Sequence, residues 1–157
     1  MRVWRICETK FANDPLSGQG SFLYGGRWTP AGLRAVYTST TASLSLLENA
    51  VHFSPKTTPL PSYSIIDIDV PDDLIEAVDA LIIPYNWDSL ALSPHPRLEQ
   101  IGRKWLLSMS AAGLLVPSVV APSIDDRNLI LNPDHPEFKR IKAGAPMECR
   151  VDQRLHR

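Results

Sequence analysis

The stretch Tyr24-Gly25-Gly26-Arg27-Trp28-Thr29-Pro30-Ala31-Gly32 is the most informative part of this 157-residue chain. Its two consecutive glycines let the backbone approach a ligand closely, and the planar, permanently charged guanidinium of Arg27 follows at once. On its own, a Gly-Gly turn followed by arginine is more often a structural turn than a binding site. A Rossmann-type G-x-G-x-x-G motif is excluded, because the required third glycine is Leu23 and the segment opens no predicted helix.

The residues around this stretch predict short strands and a helix in the first third of the chain. A polar loop is expected at residues 8–25, between strands at residues 3–6 and 34–39. Thr40 or Thr41 can cap a following helix that runs to about residue 53. Its apolar face would carry Leu44, Leu47 and Val51, with Glu48 beside that face.

The remaining two thirds predict the same mixture of elements. Residues 63–70 have the β-branched content of a strand, and Pro71-Asp72-Asp73 predicts the start of a short helix through about residue 81. Residues 96–112 predict the best helix, closed by Gly113, with a period near 3.6 in Leu98, Ile101, Trp105, Leu106 and Met109. Strands are expected at 114–121 and 128–131, before a basic terminal segment. This order favours an α+β fold with a compact mixed-β core flanked by helices.

Composition narrows the class of protein further. Hydrophobic residues make up 44% of the chain, and its length predicts one domain over residues 1–157. The net charge of -1 excludes a generic polycation. Two distant cysteines, Cys7 and Cys149, form no disulfide framework or zinc set, and the sequence shows neither a signal peptide nor an apolar run that spans a bilayer. We therefore expect a cytoplasmic protein without contact to membranes.

Several weaker chemical signals have plain structural explanations. The run of acids from Asp67 to Asp79 fits no calcium loop, and Glu48 with His52 lacks the further ligands of a metal site, so no metal is expected. Ser118 lies in no nucleophile elbow. Cys7, in a predicted strand, is more often a small core residue than a nucleophile.

Four ordered stretches resemble the RES-domain toxins of bacterial RES–Xre toxin–antitoxin pairs. They are residues 24–32, Val36-Tyr37-Thr38-Ser39, Leu44 through Glu48 to Phe53, and Val116-Pro117-Ser118 leading to residues 128–136. Thr29 and Ala31 depart from the family pattern, in which Asn and a second Pro are expected.

The resemblance implies an ADP-ribosyltransferase-like fold with a cleft for NAD+, and a toxin that attacks NAD+ and arrests growth. Some members degrade NAD+, and others transfer ADP-ribose to a protein. The family's Arg, Tyr, Glu and Ser fall on Arg27, Tyr37, Glu48 and Ser118. The expected catalytic residues are Glu48, Arg27 and Tyr37, and NAD+ is expected to contact Arg27, Tyr37, Ser118 and Asn128.

This set of residues has the chemical groups that cleavage of the nicotinamide–ribose bond requires. Nicotinamide leaves from a cationic substrate, so one carboxylate, Glu48, suffices to stabilise the positive charge that grows on the ribose. Arg27 suits the pyrophosphate, Tyr37 offers a ring for nicotinamide to stack on, and Ser118 can orient either the ligand or Glu48. Without the resemblance, each has an ordinary alternative: Tyr37 in the core, Glu48 solvated, and Ser118 in a turn.

Partners and competing functions follow from the same observations. The resemblance implies an Xre-type helix-turn-helix antitoxin and allows a homodimer and a protein acceptor of ADP-ribose. Two alternatives stay open: a nucleic-acid-directed toxin that uses the basic terminal segment, and a non-catalytic module that docks a partner through its acidic run. Direct nucleic-acid binding is not expected. The sequence leaves open whether water, phosphate or a protein accepts the ADP-ribose.

Overall fold

The computed structural model describes residues 1–52, 61–89, 95–122 and 125–156. Within these ranges the α-helices are α1 (Gln19–Tyr24), α2 (Ala42–Ala50) and α3 (Pro96–Ser108). The strands of the described chain are β1 (Arg2–Glu8), β2 (Val36–Ser39), β3 (Tyr63–Asp69), β4 (Ile75–Ala77), β5 (Gly113–Pro117), β6 (Arg127–Leu131), β7 (Lys142–Ala143) and β8 (Met147–Cys149). The predicted α+β class is confirmed.

These strands form one sheet in the order β4-β5-β6-β2-β1-β3-β7, with β8 also paired to β3. All pairs are antiparallel except β4 with β5. The centre of the sheet is divided, because β1 and β2 share a single residue pair, Trp4 with Ser39, while β1 pairs with β3 over its whole length. The two strands therefore separate beyond that pair, and a cleft opens beside them.

Two buried clusters hold this sheet in place. One centres on β1 and β3 and includes Leu129 of β6, and its residues Val3, Ile66 and Leu129 are fully buried. The other packs α3 onto the opposite face through Leu98 and Trp105, and it also contains Trp28. Trp28, a weaker site candidate that the sequence favours as a core residue, is 2% exposed and lies in the core. Each fully buried side chain of this size contributes about 1.5–3 kcal/mol of transfer free energy.

The structure differs from two predicted elements and adds two strands that were not predicted. The expected loop at residues 8–25 contains the short helix α1. The residue before this helix, Gly18, has a left-handed conformation and no side chain to cap it, so the sequence contains no helix-start signal. The expected helix from residue 71 to 81 was wrong: a single 3-10 turn at Asp72–Leu74 leads into β4, where parallel pairing with β5 overrides the local preference. The structure also adds β7 and β8 in the terminal segment.

Helix boundaries differ for identifiable reasons. Thr41 caps α2 as expected, since its side chain accepts from the Leu44 amide at 3.0 Å. Leu44 is buried, but Leu47 and Val51 are exposed, so the predicted apolar face is narrower than the spacing indicated. Helix α3 ends at Ser108 because Met109 takes a left-handed conformation, and Gly113 begins β5 rather than closing the helix.

Four of the six acids in the run from Asp67 to Asp79 form ordinary ion pairs. Arg2 bridges Asp67 and Asp69, the amino terminus contacts Asp72, and Arg140 makes a bidentate contact with Asp73. The Arg2 and Arg140 guanidiniums lower the pKa values of Asp69 and Asp73 through these hydrogen bonds. Because these groups are exposed or only partly buried, the pairs contribute little to stability. In the described residues, no helix has the length and apolar character needed to cross a bilayer.

Candidate active site

The candidate site is a cleft of about 760 Å³ where β1 and β2 separate. This volume lies within the range of about 300–1,000 Å³ that is typical of ligand pockets. Four of the five predicted site residues line it: Arg27, Tyr37, Glu48 and Asn128. A second hollow, of about 630 Å³ beside Pro133 and Phe138, contains none of them.

Glu48 reaches the cleft because α2 turns back over the end of the sheet directly after β2. Thr40 anchors that turn: its amide and its hydroxyl both donate to the Arg127 carbonyl, at 2.9 and 3.1 Å. Glu48 is half-buried, and its Oε1 accepts two hydrogen bonds, from Ser118 Oγ at 2.7 Å and from Asn128 Nδ2 at 2.5 Å. No described residue donates to its second oxygen, Oε2. The carboxylate is thus held through one oxygen, which leaves the other for a ligand.

The hydroxyl of Ser118 is committed to Glu48. Ser118 follows β5 and is 1% exposed. Its oxygen accepts from the amides of Val120 and Ala121, both at 3.1 Å, so its single hydrogen is directed to the carboxylate. Of the two roles predicted for Ser118, orienting the ligand or orienting Glu48, this geometry matches the second.

Asn128 is held from the other side of the site. It lies on β6 opposite Ser39 of β2, and its Oδ1 accepts from Ser39 Oγ at 2.8 Å. Its Nδ2 is thereby available to Glu48. The structure brings together Glu48, Ser118 and Asn128, which are separated by 70 and 80 positions in the sequence.

Arg27 projects from a tight turn that its neighbours explain. Gly25 has φ +70°, a conformation that favours glycine, and the amide of Gly26 donates to the Thr29 carbonyl at 2.8 Å. A Cβ at Gly26 would lie 2.6 Å from the Tyr37 hydroxyl, so only glycine fits there. Arg27 Nη1 donates to the Trp87 carbonyl at 3.2 Å. Among the described residues, no carboxylate forms an ion pair with Arg27.

The Tyr37 hydroxyl holds this turn in place. It accepts from the Trp28 amide at 3.1 Å and lies 3.0 Å from Thr29 Oγ1, which in turn lies 3.0 Å from Ser21 Oγ. Ser21 donates to the Leu33 carbonyl, so each hydroxyl has a donor and an acceptor along the series. Burial raises the pKa of Tyr37 to about 12, and the hydrogen bond between Tyr37 and Thr29 opposes this rise only in part. Tyr37 therefore stays a neutral phenol at physiological pH and does not serve as a base.

Thr29, to which sequence analysis assigns no chemistry, is expected to stabilise the turn through this series. Thr29→Val keeps the side-chain shape but leaves the Tyr37 and Ser21 hydroxyls without their shared partner. The free energy of unfolding should fall by about 1–3 kcal/mol. Urea denaturation measures the change, and Ser43→Ala, which removes an exposed hydroxyl from α2, should change it by less than about 0.5 kcal/mol. A loss of equal size in both variants would contradict the role of Thr29.

Arg5 is a cleft residue that sequence analysis missed. Its Nη1 donates to the Tyr37 carbonyl at 3.0 Å across the gap between β1 and β2, and its buried Nε has no partner in the described structure. Burial lowers the pKa of this guanidinium, although an arginine still stays charged at physiological pH. The available signal was an arginine inside an otherwise apolar strand. Arg5 and Arg27 together provide two cations that form no ion pair with a carboxylate in the described part of the chain.

Other cleft residues have less distinctive surroundings. Cys7 is 8% exposed and belongs to the core, as predicted, and burial raises the pKa of its thiol. His52 and Glu99 also line the cleft. Within the described ranges, no three metal-ligating side chains come together.

The chain belongs to the RES domain family, whose family model matches residues 2–152. The family predicted from the four ordered stretches is thereby confirmed.

Particular relatives cover the chain almost completely. It is 35% identical to the Prs ADP-ribosylating toxin of Sphingobium sp. over 98% of this chain and 96% of that protein. It is 34% identical to Toxin Res of Photorhabdus laumondii, over 99% of this chain and 97% of the relative. The fold matches a chain of the crystal structure of the M. tuberculosis MbcT-MbcA toxin-antitoxin complex with a TM-score of 0.72 at 18% identity, covering 94% of this chain and 83% of that one.

Proposed function

We propose that this protein is the toxin of a bacterial toxin–antitoxin pair and that it cleaves the bond between nicotinamide and ribose in NAD+. One observation carries the proposal: Glu48 is fixed by Ser118 and Asn128 through one oxygen, in a cleft that also contains two arginines, Arg5 and Arg27, with no ion pair to a described carboxylate. The full-length similarity to proteins named as toxins, one of them an ADP-ribosylating toxin, supports it. The whole chain would act as one RES domain.

The chemistry at Glu48 follows from the charge of the substrate. When the C–N bond breaks, its electron pair leaves with nicotinamide, which becomes neutral and needs no proton. The ribose carbon is left with oxocarbenium character, and a nearby carboxylate stabilises that positive charge. The hydrogen bonds from Ser118 and Asn128 hold the carboxylate in place through Oε1, so its second oxygen can accept from a ribose hydroxyl.

The cations of the cleft suit the rest of the substrate. A pyrophosphate carries two negative charges, and arginine guanidiniums bind phosphate oxygens in bidentate fashion. Arg27, whose Nη1 donates to the Trp87 carbonyl in the described structure, is the proposed main partner of the pyrophosphate, and Arg5 adds positive charge from β1. Tyr37 would hold the Arg27 turn and present its ring to nicotinamide. NAD+ is thus the proposed substrate, and no metal enters this proposal.

The proposed acceptor of the ADP-ribose is water, phosphate or a protein side chain, since each can attack the same ribosyl cation. A transferase would modify a protein, and a degrading enzyme would deplete NAD+. Either outcome would arrest growth.

The basic terminal segment does not favour the nucleic-acid alternative. Arg140 contacts Asp73, Arg150 contacts Glu148, and Arg154 makes a bidentate contact with Asp152. These guanidiniums are balanced by neighbouring carboxylates and do not form an isolated positive patch.

An antitoxin is the proposed protein partner, and an Xre-type helix-turn-helix protein is the proposed kind. The matched structure is that of a toxin–antitoxin complex, which supports a partner of this class. A homodimer remains a prediction. The cytoplasm, where NAD+ is available, is the proposed location.

The deciding experiment measures NAD+ in bacterial cells after induced expression of the wild type and of Glu48→Ala, followed by mass spectrometry for protein-linked ADP-ribose. Collapse of NAD+ with the wild type alone would identify a degrading enzyme. Steady NAD+ with a modified protein would identify a transferase. Equal readouts for the two variants would contradict the proposed function.

Arg27→Ala is expected to weaken NAD+ binding about 10- to 100-fold, because two charge-assisted hydrogen bonds to the pyrophosphate are lost. Arg27→Lys should recover only part of this loss, since a lysine keeps the charge without the planar fork. Isothermal titration with NAD+ in the Glu48→Ala background, where turnover is removed, measures binding alone. Arg103→Ala on the exposed side of α3 is the matched control and should bind normally. If Glu48→Ala alone weakens binding as much as Arg27→Ala does, these roles are wrong.

A further inference from the structure

Ser39 connects the sheet to the Glu48 carboxylate. It is the last residue of β2, is 3% exposed, and lies directly opposite Asn128 of β6. Its hydroxyl donates to Asn128 Oδ1 at 2.8 Å, and Asn128 Nδ2 donates to Glu48 Oε1 at 2.5 Å. The three side chains form one series of hydrogen bonds that ends on the carboxylate.

This series decides which end of the Asn128 amide meets Glu48. An amide offers two N–H donors at one end and an acceptor at the other, whereas an ionised carboxylate only accepts. The Ser39 hydroxyl stabilises the orientation in which Oδ1 points back to the sheet, so the amino group is directed at Glu48. In the reversed orientation, two acceptor oxygens would face each other across a short distance.

The position of Ser39 makes this arrangement rigid. Residues 39 and 128 are paired in the β2–β6 ladder, so their side chains lie on the same face of the sheet as neighbours. The Trp4 pair fixes Ser39 from the other side, at the one point where β1 and β2 meet. The hydroxyl is therefore held by strands on both sides and not by a mobile loop.

We propose that Ser39 is a positioning residue for NAD+ cleavage: it orients Asn128 and through it holds the Glu48 carboxylate where charge develops. The proposal rests on the proposed function, because it concerns turnover at Glu48. If Ser39 acts through Asn128, its loss lowers kcat and leaves the affinity for NAD+ nearly unchanged. It also has no further effect once Asn128 is gone.

A double-mutant cycle tests this dependence with purified protein and NAD+, with release of nicotinamide as the readout. Ser39→Ala should lower kcat about five- to tenfold, with KM changed less than about twofold. Asn128→Ala should lower kcat by about tenfold or more. The double variant should match Asn128→Ala within about twofold, since the two residues act in series.

Controls separate this effect from a general loss of structure. Ser64→Ala removes another buried hydroxyl, which lies on β3 and contacts the Thr9 hydroxyl. This variant should leave kcat unchanged. Ser39→Cys fills the same space with a weak donor, and should lower kcat as Ser39→Ala does while keeping the thermal midpoint near that of the wild type.

The results that overturn the proposal are distinct from those that overturn the function. Independent losses in the cycle, a change in KM alone, or an unchanged kcat in Ser39→Ala would each show that Ser39 does not act through Asn128. If the wild type releases no nicotinamide, with and without phosphate or a cell extract as a source of acceptors, the proposed function itself fails and Ser39 has no such role.

Discussion

Glu48→Gln is expected to reduce NAD+ cleavage about 10³-fold while leaving NAD+ binding within a few-fold of the wild type. Glutamine has nearly the same shape, but it carries no charge to stabilise the oxocarbenium character of the ribose. A reduction of this size corresponds to about 4 kcal/mol of transition-state stabilisation. Loss of an interaction that forms mainly in the transition state lowers kcat and kcat/KM together.

Two measurements check this expectation. Steady-state nicotinamide release gives kcat and KM. Growth after induced expression, compared between the wild type and Glu48→Gln, gives the cellular effect. Glu148→Gln, which removes an exposed carboxylate that pairs with Arg150, is the matched control and should remain as active and as toxic as the wild type. A Glu48→Gln variant that keeps more than about a tenth of the activity would exclude the role of this carboxylate in bond cleavage.

Gly102→Ala is expected to produce the largest loss of stability among single-methyl additions at the described glycines. A Cβ at this position of α3 would lie 1.7 Å from the Trp28 carbonyl oxygen, far inside van der Waals contact. Since the neighbour is backbone, a change of side-chain rotamer cannot relieve the overlap. The helix or the turn at Gly26–Thr29 must move, and we expect a loss of about 3 kcal/mol or more in the free energy of unfolding.

The same substitution should also weaken substrate binding, because the turn that must move carries Arg27. Urea denaturation gives the stability, and NAD+ titration below the unfolding range gives the affinity. Gly20→Ala is the matched control: nothing lies within 4 Å of its added Cβ, and α1 should gain up to about 1 kcal/mol from the better helix former. A Gly102→Ala protein as stable as the wild type would show that α3 does not pack this closely on the Arg27 turn.

Sequence patterns predicted the regular elements well where local chemistry decides them. The cap at Thr41 and the strand ending at Ser39 both follow from residue types at short range. The site residues came from the family resemblance, and the structure brings Glu48, Ser118 and Asn128 into contact. Their individual roles in catalysis stay predictions.

Other features could not be predicted, because they depend on partners distant in sequence. The helix expected through residue 81 is instead β4, since Ile75 and its neighbours gain pairing with β5 some 38 positions later. From the sequence, Arg5 is only a charged residue in a predicted strand. It lines the cleft because β1 and β2 separate beside it.

By itself, the sequence determined the mixture of short strands and helices, because these depend on local spacing, and its ordered motifs determined the family. The residues proposed for NAD+ cleavage came from the resemblance to that family. Only the tertiary structure decided which oxygen of Glu48 is held, that Ser118 contacts Glu48, and that Ser39 donates a hydrogen bond to Asn128. Hydrogen bonds between side chains act over about 3 Å, and residues 39, 48, 118 and 128 come within that distance only after the strands have paired.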